Sequence, residues 1–554
     1  MAQDQDQNQH QALDRGANFD VIIVGAGFAG LYMLHRLRGI GLTARVYEAG
    51  DNVGGTWYWN RYPGARCDAE SLAYSFSFSP ELEQEWEWSE RYATQPEILR
   101  YAEHVAERFD LRRDIRFERR VSAARFNEAD RRWTVETEQG DLARARICIM
   151  ATGCLSVPQR PDIPGLDDFQ GNLYQASLWP HEGVDFTGQR VGVIGTGSSA
   201  IQAIPVIAGQ AGHLTVFQRT PNFSVPAVNA KLDPDWVAQF KAHYREHREN
   251  HRHGLGAGFG DLEIEPQPQG PVAETGAELS DAELEQALEE YWAKGGARFM
   301  GAVTDSLSNE ETNRLFADFV RKKIRETVKD PEVAEALCPT DHPIGTKRIC
   351  VDTGYYETYN RDNVTLINLR KTPIERITAS GIQTSDAHYE LDTLVLATGF
   401  DAMTGALLRM DIRGVGGRAL SEKWAAGPRS YLGIGIAGFP NLFTITGPGS
   451  PSVLSNMLVS IEQHVDWMID CIRYMEDEGL TLVEPDPEAE DAWVDHVNEV
   501  AHGTLFPKGG SWYLGANVAG KPRVFMPYAA GVGVYREVCD RVAENGYEGF
   551  RFSA

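Results

Sequence analysis

The sequence is poor in cysteine, in positive charge and in long apolar runs. Its 554 residues include 7 scattered cysteines, with no CxxC or CxxxxC pair, which fits a reduced cytoplasm better than a disulfide framework. Lysine and arginine total 53 against 79 acidic residues, and the net charge of −26 disfavours nucleic acid or an anionic membrane as a partner. No apolar stretch approaches the roughly 18 residues of a transmembrane helix. We therefore expect a cytoplasmic protein with no membrane partner.

Metal-binding motifs are also missing. HExxH does not occur, and His243, His247 and His251, although spaced as on one helix face, alternate with arginine and glutamate. This pattern predicts a solvated helix face and no metal site. The first residues are rich in Gln and Asp and lack the apolar segment of a signal peptide, so we expect a disordered tail over 1–18.

What the chain does contain is a dinucleotide-binding fingerprint. An apolar strand over 20–24 leads into a GxGxxG turn and a helix, and a second short strand ends at Glu48. The glycines of the turn are Gly25, Gly27 and Gly30. They suit a tight turn, close approach of backbone N–H groups to a pyrophosphate, and close helix–strand packing. Glu48 can accept hydrogen bonds from ribose hydroxyls and would repel a 2′-phosphate, which predicts FAD or NAD here.

An aromatic loop follows this unit. It runs from Gly54 to Asp68 and begins with Gly54, Gly55 and Thr56. Trp57 and further aromatic residues follow. Large aromatic side chains are costly to expose, so we expect the loop to lie on a flat ring or in a cleft. A loop that simply packs on the core is the alternative.

A second fingerprint begins with the strand 191–194. Its turn and helix start are formed by Gly195, Gly197 and Ser198. The following strand ends at Gln218, which takes the position that Glu48 has in the first unit, and Arg219 and Thr220 come next. An arginine without a neighbouring carboxylate suits a 2′-phosphate, although Arg219 could be an ordinary surface charge. This site therefore predicts NADP(H), and the first, by elimination, FAD.

These motifs predict an α/β fold with two Rossmann-type dinucleotide-binding domains and a helical insertion. Ala-Thr-Gly follows a buried-type strand twice, at 151–153 and at 397–399, and we expect the two copies to mark chain crossovers at the edges of one domain. A capping box at Ser280 opens a helix of the insertion. The predicted division is an FAD-binding domain over 19–155 and 386–554, an NADP-binding domain over 156–226 and 336–385, and the insertion over 227–335.

Two nucleotide sites in one chain indicate that NADPH passes electrons to a flavin. A disulfide reductase would need a paired cysteine motif, which is absent. The other acceptor is oxygen, and this chemistry needs a cation beside the oxygen bound to the flavin and exclusion of water.

At this point the chain resembles flavin-dependent Baeyer–Villiger monooxygenases, from Asp20 to Phe550. Every fixed position of their early motif, GGxWxxxxYPGxxxD, is present over 54–68. The linker motif FxGxxxHxxxWP is matched by Phe169, Gly171, Trp179 and Pro180, whereas Gln175 replaces its histidine. Trp179 favours this branch over related N- and S-oxidising enzymes, which carry Tyr or Phe there.

The resemblance implies a role for each matching residue. Arg348 corresponds to the catalytic arginine and Asp68 to the carboxylate that positions it, although an ion pair at a domain junction is the plain alternative for Arg348. Lys347 and Arg219 would hold the 2′-phosphate, and Trp512 would lie over the nicotinamide. The residues that would line the substrate pocket are Ser452, Val453 and Leu454.

We therefore predict an NADPH- and O2-dependent enzyme that converts ketones to esters or lactones through a C4a-peroxyflavin and also oxidises sulfides. Its partners would be a small-molecule ketone and O2, and it would be a monomer or weak homo-oligomer. Oxidation of sulfides or amines alone is the nearest alternative. An NADPH oxidase or a non-catalytic flavin-binding protein is the more distant one, with Gln175 uncoupling oxygen transfer.

Overall fold

The computed structural model describes residues 13–253 and 271–554. The first twelve residues of the predicted tail and residues 254–270 of the predicted insertion lie outside these ranges.

The strands fall mainly into two sheets. They are β1 Arg15–Val24, β2 Ala44–Tyr47, β3 Ile115–Arg116, β4 Val121–Asn127, β5 Arg132–Thr137, β6 Leu142–Met150, β7 Asn172–Gln175, β8 Arg190–Ile194, β9 His213–Gln218, β10 Ser224–Pro226, β11 Cys350–Asp352, β12 Val364–Asn368, β13 Ile374–Thr378, β14 Gly381–Thr384, β15 His388–Glu390, β16 Thr393–Leu396, β17 Asp411–Arg413, β18 Leu442–Thr444, β19 Leu482–Pro485 and β20 Phe550–Ser553.

The helices surround these sheets. They are α1 Phe28–Gly39, α2 Thr56–Trp59, α3 Pro80–Glu85, α4 Gln95–Arg108, α5 Ser198–Gln210, α6 Pro234–Ala242, α7 Tyr244–His253, α8 Asp281–Lys294, α9 Glu310–Thr327, α10 Pro331–Leu337, α11 Tyr355–Thr358, α12 Gly405–Arg409, α13 Leu420–Lys423, α14 Met457–Asp477, α15 Pro487–His502 and α16 Val532–Glu544. Single 3₁₀ turns at Ser452–Leu454 and Trp512–Leu514 carry predicted site residues.

The first sheet contains the first fingerprint. Its strand order is β17-β4-β5-β6-β1-β2-β3, and β18 also pairs with β6. Strand β1 runs parallel to β2 and β6, whereas β4, β5 and β6 form antiparallel hairpins. Parallel strands buried on both faces need continuous apolar side chains, and residues 21–24 of β1 supply them.

The second sheet is parallel throughout and contains the second fingerprint. Its order is β12-β9-β8-β16-β7. Strand β16 pairs with β8 in register Val395 to Val193 and with β7 on its other side, so the strand before the second Ala-Thr-Gly is an inner strand of this sheet. The prediction that both Ala-Thr-Gly copies mark the edges of one domain is therefore wrong. The predicted start of the second FAD segment at 386 is also too early, because β16 pairs within the sheet that contains the second fingerprint.

Each Ala-Thr-Gly segment lies against one glycine turn. Gly25 has φ +105°, and a Cβ built on it would come 2.6 Å from the carbonyl oxygen of Ala151. Gly195 has φ +112°, and its Cβ would come 2.4 Å from the carbonyl oxygen of Ala397. The first glycine of each turn is thus required both by its backbone conformation and by contact with the neighbouring strand end. In both halves, an Ala-Thr-Gly segment packs against the first glycine of the turn.

The predicted N-terminal tail is too long at its inner end. Strand β1 begins at Arg15, and its early residues pair with β6 in the register Asn18 to Arg144. The side chain of Asp14 reaches Tyr47 and Arg45. Residues 15–18 are therefore part of the first sheet, because β6 extends far enough to pair with them.

The insertion is helical where it is described, and its helices pack on both halves. The capping box predicted at Ser280 and Glu283 is present and opens α8. Helices α8 and α9 share an apolar core with the second sheet, whereas α6 and α7 pack on the first half.

The prediction that α7 presents a solvated face is wrong for two of its residues. His247 and Arg248 are buried, His247 stacks on Phe240 with ring centroids 4.0 Å apart, and Arg248 forms a buried ion pair with Glu83. Within the described ranges, no group of three or more His, Cys, Asp or Glu residues is arranged to hold a metal ion. No described helix is both long and apolar enough to cross a bilayer.

Candidate active site

The aromatic loop contacts both glycine-turn units, with Gly55 beside Gly27 and Gly64 beside Gln202, while Trp57 and Tyr58 pack in the core of the first half. Part of it folds as the one-turn helix α2, in which Trp57 and Tyr58 are buried. On the side of the second sheet, the Tyr62 hydroxyl donates to Gln202 of α5 at 2.8 Å, and Gln202 in turn donates to the carbonyl of Arg66. The loop thus joins the first fingerprint to α5 of the second. Asp68, the last residue of the loop, lies at this junction between the two units.

Arg348 and Asp68 form a two-point ion pair at this junction. The Nε and Nη2 atoms of Arg348 donate to the two carboxylate oxygens of Asp68 at 2.9 and 2.8 Å. The third guanidinium nitrogen, Nη1, donates to the carbonyl oxygen of Val453 at 2.8 Å. Only a planar fork of donors can make these contacts together, which distinguishes arginine from lysine here.

The electrostatics keep this pair ionised at neutral pH. Burial acts to raise the pKa of Asp68, but the charge and hydrogen bonds of Arg348 outweigh it and hold that pKa below its ordinary value. Burial likewise acts to lower the pKa of Arg348, and the Asp68 carboxylate holds it above the ordinary value. The side chains remain 23% and 22% exposed, so the guanidinium is fixed in place yet open to a small ligand.

At the first glycine turn, Glu48 lies directly after β2, as predicted. Its carboxylate oxygens accept from the backbone N–H groups of Ala26 and Gly50 at 2.7 and 2.8 Å. Burial raises the pKa of Glu48, and these backbone donors oppose the rise. Each oxygen keeps a second lone pair, so the side chain still fits the ribose of an unphosphorylated adenosine.

At the second glycine turn, three cations lie close together. Arg219 is exposed just beyond the end of β9, and Lys347 immediately precedes Arg348. Burial and then the nearby charges of Arg219 and Arg370 lower the pKa of Lys347, while Asp341 opposes them. Asp341 accepts from both Arg370 and His342. The concentration of positive charge suits a phosphate dianion, as predicted for Arg219 and Lys347.

The remaining residues of the second turn begin α5. Ser198 is its first residue, and its hydroxyl lies 3.3 Å from the Sγ of Cys350. The carbonyl of Thr220 accepts from the Thr196 hydroxyl at 2.8 Å, which ties the turn to the end of β9. These residues leave the N-terminus of a thirteen-residue helix facing the cleft, where a pyrophosphate fits.

The linker motif connects the two sheets. Gln175 ends β7, and its Nε2 donates to the carbonyl of Gln159 at 3.3 Å. The same carbonyl accepts from Thr398, and the N–H of Gln159 donates to Gly399. Phe169 and Trp179 are buried. A Cβ on Gly171 would come 2.5 Å from the carbonyl oxygen of Asp392. Gln175 therefore supports the segment that leaves the first Ala-Thr-Gly for the second sheet.

A C-terminal loop covers this junction. Trp512 is half-buried, and its ring centroid lies 4.4 Å from that of Tyr513. The Nδ2 of Asn517 donates to the carbonyl of Phe400 at 2.7 Å, and Lys521 pairs with Asp401 at 2.6 Å. The loop over 511–526 is thus tied to the segment that follows the second Ala-Thr-Gly.

Sequence reasoning missed Gln202 and Tyr513. Gln202 is half-buried on α5, next to the aromatic loop, and nothing in its helical spacing marks it as a bridge. Tyr513 is buried, which raises its pKa to about 12, and the nearby positive charge of Arg348 opposes this rise. The sequence signal for Tyr513 is that it directly follows Trp512, which the family resemblance places over the nicotinamide. All seven cysteines are buried free thiols, with no pair to exchange with a disulfide.

Comparison with known proteins shows similarity along nearly the whole chain. A family model described as pyridine nucleotide-disulphide oxidoreductase matches residues 22–254. A Baeyer–Villiger monooxygenase of Pseudooceanicola batsensis is 43% identical over 536 residues, which cover 96% of each chain. A solved structure of oxidized steroid monooxygenase bound to NADP is 54% identical, covering 97% of this chain and 100% of that one, with a TM-score of 0.92. The protein called OTEMO, solved with FAD and NADP, is 41% identical over the same shares, with a TM-score of 0.92.

Proposed function

We infer the roles of the site residues from one premise: this chain belongs to the flavin-dependent Baeyer–Villiger monooxygenases. The enzyme converts a ketone to an ester or lactone with NADPH and O2. One oxygen atom enters the ketone, the other leaves as water, and NADPH is oxidised to NADP⁺. Bound FAD supplies the chemistry that takes up the hydride and activates oxygen, while the protein binds, orients and stabilises charge.

The two glycine turns fit the two cofactors. We propose that FAD is held at the first turn, with Glu48 on the adenosine ribose and the aromatic loop beside the ring system. NADP would be held at the second turn, with Ser198 near the pyrophosphate and Arg219 and Lys347 on the 2′-phosphate. The difference between Glu48 and Arg219 at matching positions supports this assignment, since a carboxylate repels the 2′-phosphate that an arginine binds.

The Arg348–Asp68 pair carries the proposed function. Insertion of oxygen next to a carbonyl places negative charge on oxygen, first on the attacking atom and then on the former carbonyl oxygen. Arg348 is fixed by contacts to Asp68 and to the carbonyl of Val453, so its positive charge is already placed. Fixed charges of this kind stabilise such oxyanions without reorganisation. We propose that Arg348 performs this role and that Asp68 orients it.

The same contact supports a proposed position for the substrate. Because Arg348 donates to the backbone of Val453, the turn Ser452–Leu454 lies beside the guanidinium. Val453 belongs to an apolar cluster that includes Met403 and Phe506. We propose that this turn forms the wall for the hydrocarbon part of a ketone whose oxygen faces Arg348. Sulfide oxidation at the same site stays a prediction. It is measured by supplying a sulfide and a ketone in one assay and quantifying the sulfoxide and the ester that form.

Replacement of Gln175 tests whether the linker needs an ionisable side chain. Gln175→His should change the ester formed per NADPH by less than about twofold, because either side chain can donate one neutral hydrogen bond to the Gln159 carbonyl. Gln175→Leu, which keeps the volume and removes the donor, should lower this ratio more. Ester and hydrogen peroxide are quantified for both variants. A large gain in coupling for the histidine variant would mean that glutamine uncouples the wild type.

The proposed function is tested by product analysis. Purified holoenzyme is incubated with NADPH, O2 and a panel of aromatic, cyclic, linear and steroidal ketones. We expect ester or lactone from at least one class, with NADPH consumed in proportion. Hydrogen peroxide as the main product with every ketone would favour an NADPH oxidase instead.

A further inference from the structure

His464 is a fully buried histidine in the middle of α14, and both of its ring nitrogens have partners. The Nδ1 atom accepts from the backbone N–H of Thr446 at 3.0 Å, and Nε2 lies 2.8 Å from the hydroxyl oxygen of Tyr535. Tyr535 belongs to α16 and is also fully buried, and its hydroxyl donates to the backbone carbonyl of Leu432. These two side chains, the His464–Tyr535 pair, therefore connect two separate backbone segments.

The hydrogen bonds fix which nitrogen of His464 carries the proton. Because Nδ1 accepts from Thr446, the proton lies on Nε2, which donates to the Tyr535 oxygen, and the proton of Tyr535 goes to Leu432. Burial lowers the pKa of His464 to about 3, so the ring stays neutral at physiological pH. The result is a fixed chain of three hydrogen bonds that runs from Thr446 to Leu432.

The backbone is left-handed at both ends of this chain. Thr446 has φ +54° and Leu432 has φ +59°. Residues with a side chain rarely adopt this conformation, and β-branched residues such as threonine adopt it least readily. The two segments also pack backbone against backbone, since a Cβ on Gly433 would come 2.7 Å from the backbone nitrogen of Ser450. A conformation of this kind persists only where its surroundings hold it, and the His464–Tyr535 pair supplies one hydrogen bond to each residue.

The segment that begins at Thr446 lies at the same sheet edge as the first glycine turn. Strand β18 runs parallel to β6, and β6 runs parallel to β1, so their carboxyl ends lie side by side. Nucleotide ligands of α/β sheets bind beyond this edge. Farther along the chain, the carbonyl of Val453 accepts from Arg348 at 2.8 Å. The segment 446–453 thus extends from the edge of the proposed FAD site to the guanidinium.

We propose that His464 and Tyr535 are positioning residues for bound FAD. As one hydrogen-bonded pair they hold Thr446 and Leu432 in the left-handed conformation, and they thereby set the path of the segment 446–453 along the FAD site. This inference rests on the proposed binding of FAD at the first glycine turn. Without the pair, the buried N–H of Thr446 would lose its acceptor, and the segment could leave this path.

The matched variants are Tyr535→Phe and Tyr528→Phe. Tyr528 is also buried, its ring centroid lies 5.9 Å from that of Tyr535, and its hydroxyl also contacts a histidine, His496, at 3.1 Å. Holoenzyme freed of unbound FAD is diluted, and the FAD released over time is quantified after ultrafiltration. Tyr535→Phe should release FAD roughly threefold to tenfold faster than the wild type, the range expected for one lost hydrogen bond. Tyr528→Phe should release it near the wild-type rate.

Two replacements of His464 divide its contacts. His464→Leu removes both hydrogen bonds and should release FAD at least on the order of tenfold faster than the wild type. His464→Asn keeps an acceptor for Thr446, because its amide oxygen can take the place of Nδ1, and should release FAD at a rate close to that of Tyr535→Phe. Combining His464→Asn with Tyr535→Phe should add little, since both changes remove the same hydrogen bond. If His464→Leu does not fold, the other three variants still decide the comparison.

The Kd for NADP⁺ and the Tm of each variant separate positioning from a general loss of stability. The Kd for NADP⁺ should stay near the wild-type value, because the second glycine turn belongs to the other sheet. Wild-type FAD release in Tyr535→Phe and His464→Asn, whatever their Tm, would overturn the inference, as would equal weakening of FAD and NADP⁺ binding. Strict additivity in the double variant would mean that the two side chains act independently. If the wild type forms no ester, the proposed function fails, yet the FAD release rates still decide the role of the pair.

Discussion

Arg348→Ala should still oxidise NADPH while its ester formation falls by at least ~100-fold, the usual cost of losing an oxyanion-stabilising group. Hydride transfer to the flavin depends on the two nucleotide sites, and it creates no oxyanion for Arg348 to stabilise. Oxygen transfer does create one. The NADPH consumed should therefore appear as hydrogen peroxide. Anaerobic stopped-flow reduction, followed by aerobic measurement of ester and peroxide, separates the two half-reactions.

The site offers a matched control for this variant. Arg66 lies two residues before Asp68 and pairs with Glu90 at 2.6 Å, with side chains 23% and 30% exposed, close to the values for Arg348 and Asp68. Arg66→Ala removes an arginine of similar burial from the same loop and should keep most ester formation. Loss of ester in both variants would point to damage of the loop rather than loss of a catalytic charge.

Removal of Arg348 also leaves Asp68 as an uncompensated charge, which can destabilise the fold. A double variant, Arg348→Ala with Asp68→Ala, removes both charges and therefore tests activity without an uncompensated carboxylate. It should remain deficient in ester. Asp68→Ala alone should show a milder loss, because Arg348 keeps its contact with the Val453 carbonyl. An Arg348→Ala enzyme, or the double variant, with a near-wild-type ester rate would exclude the assigned role.

Arg219→Ala should raise KM for NADPH by roughly tenfold to a hundredfold and leave KM for NADH almost unchanged, since a charge-assisted contact to phosphate contributes on the order of 1.5–3 kcal/mol. The side chain is exposed at the end of β9, where Lys347 and Arg370 add positive charge. Steady-state kinetics with both cofactors measure the selectivity directly.

Arg190 provides the control for this prediction. It is the first residue of β8, so it lies at the opposite end of the same sheet from the glycine turn, and it pairs with Asp392 and Glu390. Arg190→Ala changes the net charge by the same amount and should leave the NADPH preference intact. Equal losses with NADPH and NADH in Arg219→Ala would assign the 2′-phosphate to another residue.

Local sequence patterns are sufficient to predict much of this fold. The two fingerprints predicted their strands and helices because a glycine turn, a buried strand and a following helix are set by residues close in sequence. The capping box at Ser280 is local in the same way. Arg348 and Asp68, in contrast, are 280 residues apart, and only the family motifs linked them before the structure brought them within hydrogen-bond distance.

The incorrect predictions share one physical cause, since each depended on long-range packing. The second Ala-Thr-Gly lies under the second glycine turn, which no spacing in the chain could reveal. The charged helix α7 was expected to be solvated, but Glu83 and backbone carbonyls give Arg248 enough partners to be buried. Residues 15–18 looked disordered by composition, yet the extended β6 provides a strand for them to pair with. Charge and composition describe a segment and do not identify its partner.

Labelled oxygen gives the most direct test of the central claim, that the site directs oxygen into a ketone. Wild-type holoenzyme is supplied with NADPH, ¹⁸O₂ and a ketone it accepts, and the products are analysed by mass spectrometry. The ester should carry one ¹⁸O atom, and its amount should match the NADPH oxidised. Unlabelled ester, or labelled hydrogen peroxide as the main product with little ester, would contradict the account.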